Sequence, residues 1–249
     1  MRTNGSVVTL AGNPLESDPD IVALADRVGQ AVARRAESYE YPWLDRGYMM
    51  QLREAEAAVL RHISESTGGS LRDRRILDLG CGAGGWIREL VLWGAEPELI
   101  YGVDALADRL EEARHKVAPG VNLILGNAAK LDFADHFFDL ILIFQSVTMI
   151  TEERIRVAVA SEALRVLKPG GAILWYDYRY QRPEMRGLQR PVNKRDLRRW
   201  FPGCRLNLQS ILAFPPISRR LARIWSPLWY LLKIIPPLQT CYVGSIVKE

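Results

Sequence analysis

Apolar and polar residues alternate in blocks along the chain, and from residue 74 to residue 178 the blocks predict strands and helices in regular succession. Short apolar runs, as expected for strands buried on both faces, are separated by stretches with helical spacing. Repeated strand–helix pairing predicts a parallel, doubly wound sheet. In chain order the predicted strands of this part are Ile76–Leu79, Leu99–Val103, Val121–Leu125, Phe138–Phe144 and Ala172–Tyr176.

The pattern changes after the fifth strand. Asn193–Phe201 predicts a short basic helix, and two more strands are predicted at Arg205–Ala213 and Thr240–Val247. Two strands joined by a segment of this length fit an antiparallel pair with a helical insertion at residues 217–236. The expected fold class is therefore α/β. It comprises a doubly wound, mostly parallel seven-stranded sheet with an antiparallel C-terminal strand.

Residues 1–70 form an expected N-terminal extension, and residues 71–249 the domain itself. A polar tail precedes two amphipathic helices, Ile21–Ala36 and Met49–Ile63. Within the domain, Glu152–Leu167 predicts a long amphipathic helix that the sequence Lys168–Gly171 ends before the fifth strand.

A glycine-rich turn joins the first predicted strand of the domain to its first helix. Gly80, Gly82 and Gly85 have the G-x-G-x-x-G spacing, and Asp104 follows at the distance expected of a residue that accepts both hydroxyls of a ribose. Strand, glycine turn and helix bring a nucleotide-like ligand against backbone N–H groups at a helix start. These features predict a nucleotide-type cofactor, and a nicotinamide-dependent oxidoreductase is one class that fits them.

Further motifs distinguish a second class. Asp78 lies two residues before the first glycine, and the other motifs follow in order: Val103-Asp104, Gly126-Asn127-Ala128, Phe138-Asp139-Leu140-Ile141 and Leu167–Gly171. Through residues 74–178 the sequence resembles the Rossmann-like, class I S-adenosylmethionine-dependent methyltransferases. More loosely, it resembles bacterial enzymes of that class that act in glycan and secondary-metabolite biosynthesis.

The resemblance implies roles for named positions in holding S-adenosylmethionine. The glycine loop would pass under the methionine and ribose, Asp78 would orient the loop and the ammonium group, and Asp104 would hold the ribose hydroxyls. Gln145 would face the transferable methyl group and the substrate. Adenine contacts would come from Ala105, Leu106, Asn127 and Ala128, and the loop residues are Gly80, Cys81 and Gly82. The amide oxygen of Asn127 can accept from an exocyclic amine.

Candidate substrate-binding residues end the fifth strand, at the sheet edge where open α/β folds bind ligands. Asp177 or Tyr178 could act as a base, and Arg179 could hold an anionic substrate in bidentate fashion. Arg179 could equally pair with Asp177 or a helix C-terminus.

Two aromatic-rich segments have more than one interpretation. The group Tyr39, Tyr41, Trp43 and Tyr48, with Arg46, fits either a cover over the cofactor or a small core. Ile217–Ile235 places arginines beside tryptophans, which fits a substrate lid, a homodimer interface or peripheral membrane contact.

Charge is unevenly distributed. Residues 179–249 contain 14 Lys and Arg against 3 Asp and Glu, although the whole chain has a formal charge of only +4. This basic third implies an acidic partner, such as an anionic substrate, a membrane surface or nucleic acid. No recognisable nucleic-acid-binding module accompanies it, so nucleic acid is the less favoured partner.

Metal, disulfide and targeting signals are not expected. The three cysteines, Cys81, Cys204 and Cys241, are scattered, and the histidines lack metal-ligand spacing. The N-terminus has no secretory apolar core, so a cytoplasmic protein is expected.

The resulting functional hypothesis is an S-adenosylmethionine-dependent methyltransferase that yields S-adenosylhomocysteine and uses no metal. The predicted reaction is O-methylation of a small or medium, anionic biosynthetic substrate: a sugar, a natural-product hydroxyl or a carboxylate, including a peptide C-terminus. The alternatives are the oxidoreductase and a nucleic-acid methyltransferase.

Overall fold

A computed structural model describes residues 8–9, 22–30, 45–181, 185–213, 235 and 238–249. The predicted insertion at 217–236 and the aromatic residues Tyr39, Tyr41 and Trp43 lie outside the described residues, apart from residue 235. The eight described strands are β1 (Val8–Thr9), β2 (Ile76–Leu79), β3 (Ile100–Asp104), β4 (Asn122–Leu125), β5 (Phe138–Phe144), β6 (Leu167–Tyr178), β7 (Cys204–Ala213) and β8 (Gln239–Lys248).

All of these strands form one sheet, in the order β1-β4-β3-β2-β5-β6-β8-β7. Only β8 runs antiparallel to its neighbours β6 and β7. The seven predicted strands are therefore confirmed, with the antiparallel strand at the C-terminus, and the two-residue strand β1 is added beside β4. Because the other pairs are parallel, strands β2 to β6 all end at one edge of the sheet.

The start of β6 differs from the sequence prediction. Lys168–Gly171 does not form a loop before the strand, because β6 already begins at Leu167. Leu167 pairs with Phe138, and the register then shifts so that Ala172 pairs with Leu140. The extra residues bulge outward around Gly170, whose φ is 74°. The Lys168 ammonium donates to Asp139 over 2.8 Å and so holds this bulge against β5.

Helices cover both faces of the sheet. They are α1 (residues 22–30), α2 (Arg46–Thr67), α3 (Gly85–Leu92), α4 (Ala107–Arg114), α5 (Glu153–Val166) and α6 (Lys194–Trp200). The buried side chains form two apolar clusters. One includes residues of α1, α5 and α6, and the other includes residues of α2, α3 and α4. Helices α3 and α4 are thereby fixed to β2 and β3, the strands that precede them.

None of the helices in the described part of the chain is long and apolar enough to cross a membrane.

Candidate active site

A cavity of about 220 Å³ follows the carboxyl ends of β4, β3, β2, β5 and β6. One end lies over β3 and β4 and is lined by Asp104, Asn127 and their neighbours. The other end lies over β5 and β6. It is lined by Gln145 and Met149 after β5, and by Tyr178, Met185 and Gln189 at the end of β6 and beyond it. Ligands of open α/β sheets bind at this edge, because the loops after the strands meet there. We call these two parts the nucleotide end and the acceptor end.

The glycine loop forms the floor of the cavity between the two ends. Gly80 has a φ of 83°, and a Cβ added to it would lie 2.6 Å from the Cβ of Ser146. Its N–H donates to the carbonyl of Val103 over 2.8 Å, which ties the loop to the end of β3. Only glycine combines this backbone conformation with this close approach. Gly80 and Gly82 both line the cavity, as the sequence predicts.

Asp104 stands at the nucleotide end and organises the loop. One carboxylate oxygen accepts from the Gly82 N–H over 2.8 Å, and the other accepts from the Leu106 N–H over 2.9 Å. Burial raises the pKa of Asp104, while these N–H groups and the charge of Arg109 act in the opposite direction. Each oxygen retains an acceptor site. Asp104 can therefore accept hydroxyl groups at the nucleotide end.

Asp78 lies beneath the loop and does not line the cavity. Its side chain is buried, and Oδ2 has no hydrogen-bond partner among the described residues. Burial, with a further contribution from the nearby Asp104 charge, raises the pKa of Asp78 to about 7. Among the described residues, no donor compensates the charge on this buried oxygen.

The remaining nucleotide-end predictions are also placed by the structure. Ala105, Leu106, Asn127 and Ala128 line the cavity. The Asn127 side-chain oxygen accepts from the Ala129 N–H over 2.8 Å and keeps a second acceptor site. The Cys81 thiol instead points into the core beside Gly102. Burial raises its pKa well above the ordinary value, so the thiol is not a nucleophile here.

Gln145 connects the two ends of the cavity. Its φ is 52°, an uncommon conformation for a residue with a side chain, and its N–H donates to the Tyr176 carbonyl over 2.7 Å. Such strained positions persist where the surrounding structure fixes them, and they cluster at functional sites. Gln145 lines the cavity, and its predicted contact with the methyl group and the substrate stays a prediction.

Two of the candidates at the end of β6 are not on the cavity wall. Asp177 is buried and accepts hydrogen bonds from the Thr148 hydroxyl, the Thr148 N–H and the Tyr178 N–H. Burial raises its pKa to about 6. Its carboxylate joins the turn after β5 to the end of β6. We therefore interpret Asp177 as a residue that fixes this turn, and not as a base.

Arg179 is the second correction. Its guanidinium donates to the Ser210 hydroxyl over 2.9 Å and lies 4.8 Å from the ring centroids of Tyr180 and Tyr242. Arg179 is not among the described residues that line the cavity, and its guanidinium contacts Ser210, Tyr180 and Tyr242. Only Tyr178 of the three predicted residues lines the acceptor end.

Helix α1 covers the cavity. Leu24, Ala25 and Val28 line it, and the Arg27 guanidinium pairs with Glu152 at the start of α5 over 2.5 Å. For residues 39–48 the sequence left two interpretations open, a cover over the cofactor or a small core. Of those candidates, the described Arg46 and Tyr48 belong to α2 and do not line the cavity.

Several wall residues were missed by sequence reasoning. Arg109 lies beside Gly82 and pairs with Glu112 over 2.5 Å, and its position on the first turn of α4 after Asp104 could have indicated it. At the acceptor end, Met149, Met185 and Gln189 carry no motif that would identify them. The Gln189 amide donates to the Met149 sulfur over 3.4 Å.

Metal ligands do not cluster in the described part of the chain, where no group of three or more His, Cys, Asp or Glu residues is arranged to hold an ion. His62 is buried in α2, and that burial lowers its pKa. His115 pairs with Glu111 over 3.3 Å, and His136 contacts the Leu167 carbonyl over 3.1 Å.

The sheet order, the glycine loop and the Asp104 carboxylate together define the Rossmann-like methyltransferase class. The uncompensated Asp78 oxygen and the hydroxyl-accepting Asp104 fit the ammonium and ribose groups of S-adenosylmethionine. Residues 76–171 match the family described as "Methyltransferase domain". Residues 76–171 therefore form a methyltransferase domain with the Rossmann-like, class I fold.

Curated relatives are similar over part of their length. The bifunctional biotin-biosynthesis protein BioHC of Teredinibacter turnerae is 33% identical over 59% of this chain and 27% of its own. The fatty-acid O-methyltransferase of Mycolicibacterium smegmatis is 31% identical over 49% of this chain and 44% of its own. The demethylmenaquinone methyltransferase of Bacillus licheniformis is 32% identical over 45% of this chain and 47% of its own. The matched region thus spans less than half of each relative.

Solved structures share the fold at low sequence identity. A SAM-dependent methyltransferase from Archaeoglobus fulgidus is 19% identical with a TM-score of 0.57, covering 84% of this chain and all of that one. The Haloferax volcanii putative methyltransferase, solved in complex with the Trm112 activator, is 17% identical with a TM-score of 0.63. The match covers 91% of this chain and 98% of that one.

Proposed function

We propose that this chain O-methylates a carboxylate on a small or medium-sized biosynthetic substrate with an apolar body. The observation that carries the proposal is the chemistry of the acceptor end. Among the described residues that line it, none is Asp, Glu, His or Lys, and Tyr178 is the one side chain there that the sequence offered as a base. A carboxylate acceptor is already ionised at neutral pH and needs no general base, whereas an alcohol or an ammonium group must lose a proton.

The acceptor end offers neutral hydrogen-bonding groups within an apolar wall. Gln145, Tyr178 and Gln189 carry amide and phenol groups, which can donate to a carboxylate. Met149 and Met185 provide flexible apolar surface that adapts to varied substrate shapes. These residues support an acceptor that is polar at the reacting atom and apolar elsewhere.

The nucleotide end is proposed to hold S-adenosylmethionine. Asp104 would accept the ribose hydroxyls, Asp78 would compensate the ammonium group, and Ala105, Leu106, Asn127 and Ala128 would contact the adenine. When bound, this cofactor supplies a methyl group on a sulfonium, so that an oxygen–methyl bond forms as the sulfur–methyl bond breaks and S-adenosylhomocysteine leaves.

The protein's own part in this reaction is to position the groups and exclude water. Gln145, held by its bond to Tyr176, would orient the acceptor oxygen towards the middle of the cavity. Helix α1 would shield the cavity with Leu24 and Val28. Alignment of two reactants in this way can supply much of a rate enhancement.

The anionic character of the substrate is proposed to reside in the reacting carboxylate itself. Arg179 does not line the cavity, and Arg109 and Asp104 are the charged residues among the described lining. The names of two relatives, a fatty-acid O-methyltransferase and a demethylmenaquinone methyltransferase, support an acceptor with an apolar body. A cytoplasmic location and a homodimer remain predictions from the sequence.

A first experiment tests the cofactor. Calorimetric titration is expected to give binding of S-adenosylmethionine and S-adenosylhomocysteine and no binding of NAD. Asp104→Asn is expected to weaken that binding at least tenfold through lost hydrogen bonds to an ionised group. Asp108→Asn, the same change at an exposed site on α4, is the matched control and should leave binding unchanged. Binding of NAD alone would revive the oxidoreductase alternative.

A second experiment tests the acceptor. Transfer of a radiolabelled methyl group is measured for a medium-chain carboxylic acid, the alcohol and the amine of equal length, and a short RNA. The acid is expected to be methylated and the alcohol and amine to remain unmodified. Methylation of the amine, the alcohol or RNA, but not of the acid, would overturn the proposed acceptor while leaving the enzyme class intact.

A further inference from the structure

Five arginines form a positively charged surface beside the acceptor end. We call them the basic rim: Arg186, Arg190, Arg195, Arg198 and Arg199. All five are exposed. Residues 185–205 contain seven Lys and Arg but only one acidic residue, Asp196. The rim therefore carries a local excess of positive charge.

The rim is continuous with the cavity wall. Arg186 and Arg190 belong to the same short segment as Met185 and Gln189, which line the acceptor end. This segment is fixed in place, because the Arg190 N–H donates to the Thr148 carbonyl over 2.8 Å and the Val192 N–H donates to the Tyr178 carbonyl over 3.1 Å. The rim thus begins on the segment that lines the acceptor end.

Helix α6 extends the rim across the adjoining surface. Leu197 and Trp200 are its buried residues, so Arg195, Arg198 and Arg199 occupy its outer side. Arg190 and Arg199 both pair with Glu153 at the start of α5, which places the segment and the helix side by side. One carboxylate between two exposed arginines leaves the surface positively charged.

The sheet topology brings the end of β7 and the start of β8 to the same edge. Strand β7 runs parallel to β6, so Ala213 at its end and Gln239 at the start of β8 lie at the carboxyl edge where the cavity opens. The sequence between them, residues 214–234, contains four Lys and Arg, no acidic residue, two tryptophans and a tyrosine. Basic residues together with aromatic ones are typical of segments that lie at a bilayer surface.

We propose that the basic rim docks the protein on an anionic lipid bilayer, with the acceptor end facing the lipid. This inference rests on the proposed function for its purpose, because an amphipathic carboxylic acid resides in or on a bilayer. An exposed tyrosine, Tyr180, lies within the same region and is suited to the polar–apolar boundary.

The test is co-sedimentation with vesicles, in the absence of cofactor and acceptor. The protein is expected to bind vesicles of phosphatidylcholine with 30% phosphatidylglycerol, about tenfold or more tightly than phosphatidylcholine alone. The double variant Arg195→Gln, Arg198→Gln is expected to weaken this binding roughly tenfold, and added salt to weaken it further. The matched control is Arg61→Gln, Arg72→Gln, the same loss of charge at exposed sites away from the rim, and its binding should be unchanged.

Equal partition to the two vesicle types, or equal weakening by the rim and control variants, would overturn the proposal. Binding of a short RNA that is lost in the rim variant, without vesicle binding, would overturn it in favour of nucleic acid. Because vesicle binding is measured without turnover, a failure of carboxylate methylation in the separate assay is distinguishable from a failure of docking.

Discussion

The Thr148 hydroxyl donates a hydrogen bond to Asp177 over 2.6 Å, in the buried layer beneath the acceptor end. The Thr148 N–H donates to the second carboxylate oxygen over 3.0 Å. These two bonds join the turn after β5, which carries Met149, to the last residues of β6, which carry Tyr178. The shape of the acceptor end therefore depends on Thr148 and Asp177, neither of which lines the cavity.

Replacing this hydroxyl tests that dependence. Thr148→Val is expected to lower the free energy of unfolding by about 2 kcal/mol, because a buried hydrogen bond to a charged group is lost. Thr148→Ser keeps the hydroxyl and should retain most of the stability. Urea unfolding of the three proteins provides the measurement, and equal stability of the Val and Ser variants would contradict the assignment.

Asp78 should make the cofactor-free protein less stable as the pH rises. Its pKa of about 7 lies above the unfolded value of 3.8, so the folded state retains a proton that the unfolded state releases. Stability from this group is fully present below pH 3.8 and is lost as the pH rises through 7. Asp177, with a pKa of about 6, should likewise lower the stability of the protein as the pH rises. Urea unfolding across this pH range measures the free energy of unfolding. For Asp78→Asn this free energy should fall less with rising pH than for the unsubstituted protein, and an equal fall would contradict the assignment.

Cofactor binding should release a proton from the same carboxyl group. A cationic ammonium beside Asp78 favours the ionised form, which lowers its pKa in the complex. Calorimetric titration at pH 6.5 in buffers of different ionisation enthalpy should reveal this release. In Asp78→Asn the buffer dependence should disappear and the affinity should fall. A binding enthalpy independent of the buffer in the unsubstituted protein would argue against the role given to Asp78.

Gly80 should be more sensitive to substitution than Gly203, which also has a positive φ. Gly80→Ala combines a positive φ with a Cβ 2.6 Å from Ser146, whereas Gly203, with a φ of 74°, has open space around it. Gly203→Ala should cost about 1 kcal/mol, the penalty for the left-handed conformation alone. Gly80→Ala should cost more and also abolish cofactor binding. Thermal unfolding and calorimetry would test both, and equal losses would mean that Ser146 moves freely.

Arg156 should act as a positioning residue for the acceptor. Its buried guanidinium donates to the carbonyls of Ile150, over 2.6 Å, and of Arg190 and Pro191. Lysine cannot reach these three acceptors at once, since it lacks the planar fork of arginine. Arg156→Lys should therefore raise the KM for the acceptor roughly tenfold, with the cofactor Kd unchanged. The control is Arg154→Lys at an exposed position of α5, and an equal effect there would contradict the role.

Much of the nucleotide end was predictable from sequence, because it is formed by consecutive residues directly after predicted strands. Gly80, Asp104 and Asn127 each follow a short apolar run, and parallel strands bring such positions to one edge. The direction of Asp177 and Arg179 was not predictable. Successive residues of a strand face opposite sides, and their partners Thr148 and Ser210 are about thirty residues distant in the chain.

Other misses have similar causes. The sequence Lys168–Gly171 is typical of a helix end followed by a loop, and only pairing with β5 turns it into a bulged strand. Met149, Met185 and Gln189 are brought together by the turn after β5 and the segment after β6, which no local pattern connects. The cover from α1 includes an ion pair between Arg27 and Glu152, which are 125 residues apart.

That ion pair has a kinetic consequence. The Arg27 and Glu152 side chains are each about one-third exposed, so the attraction between them weakens as ionic strength increases. Since α1 lies over the cavity, its detachment would precede the escape of a spent ligand. The dissociation rate of S-adenosylhomocysteine should therefore increase with salt. If product release limits turnover, the turnover rate should also increase with salt, although ligands bind more weakly at equilibrium.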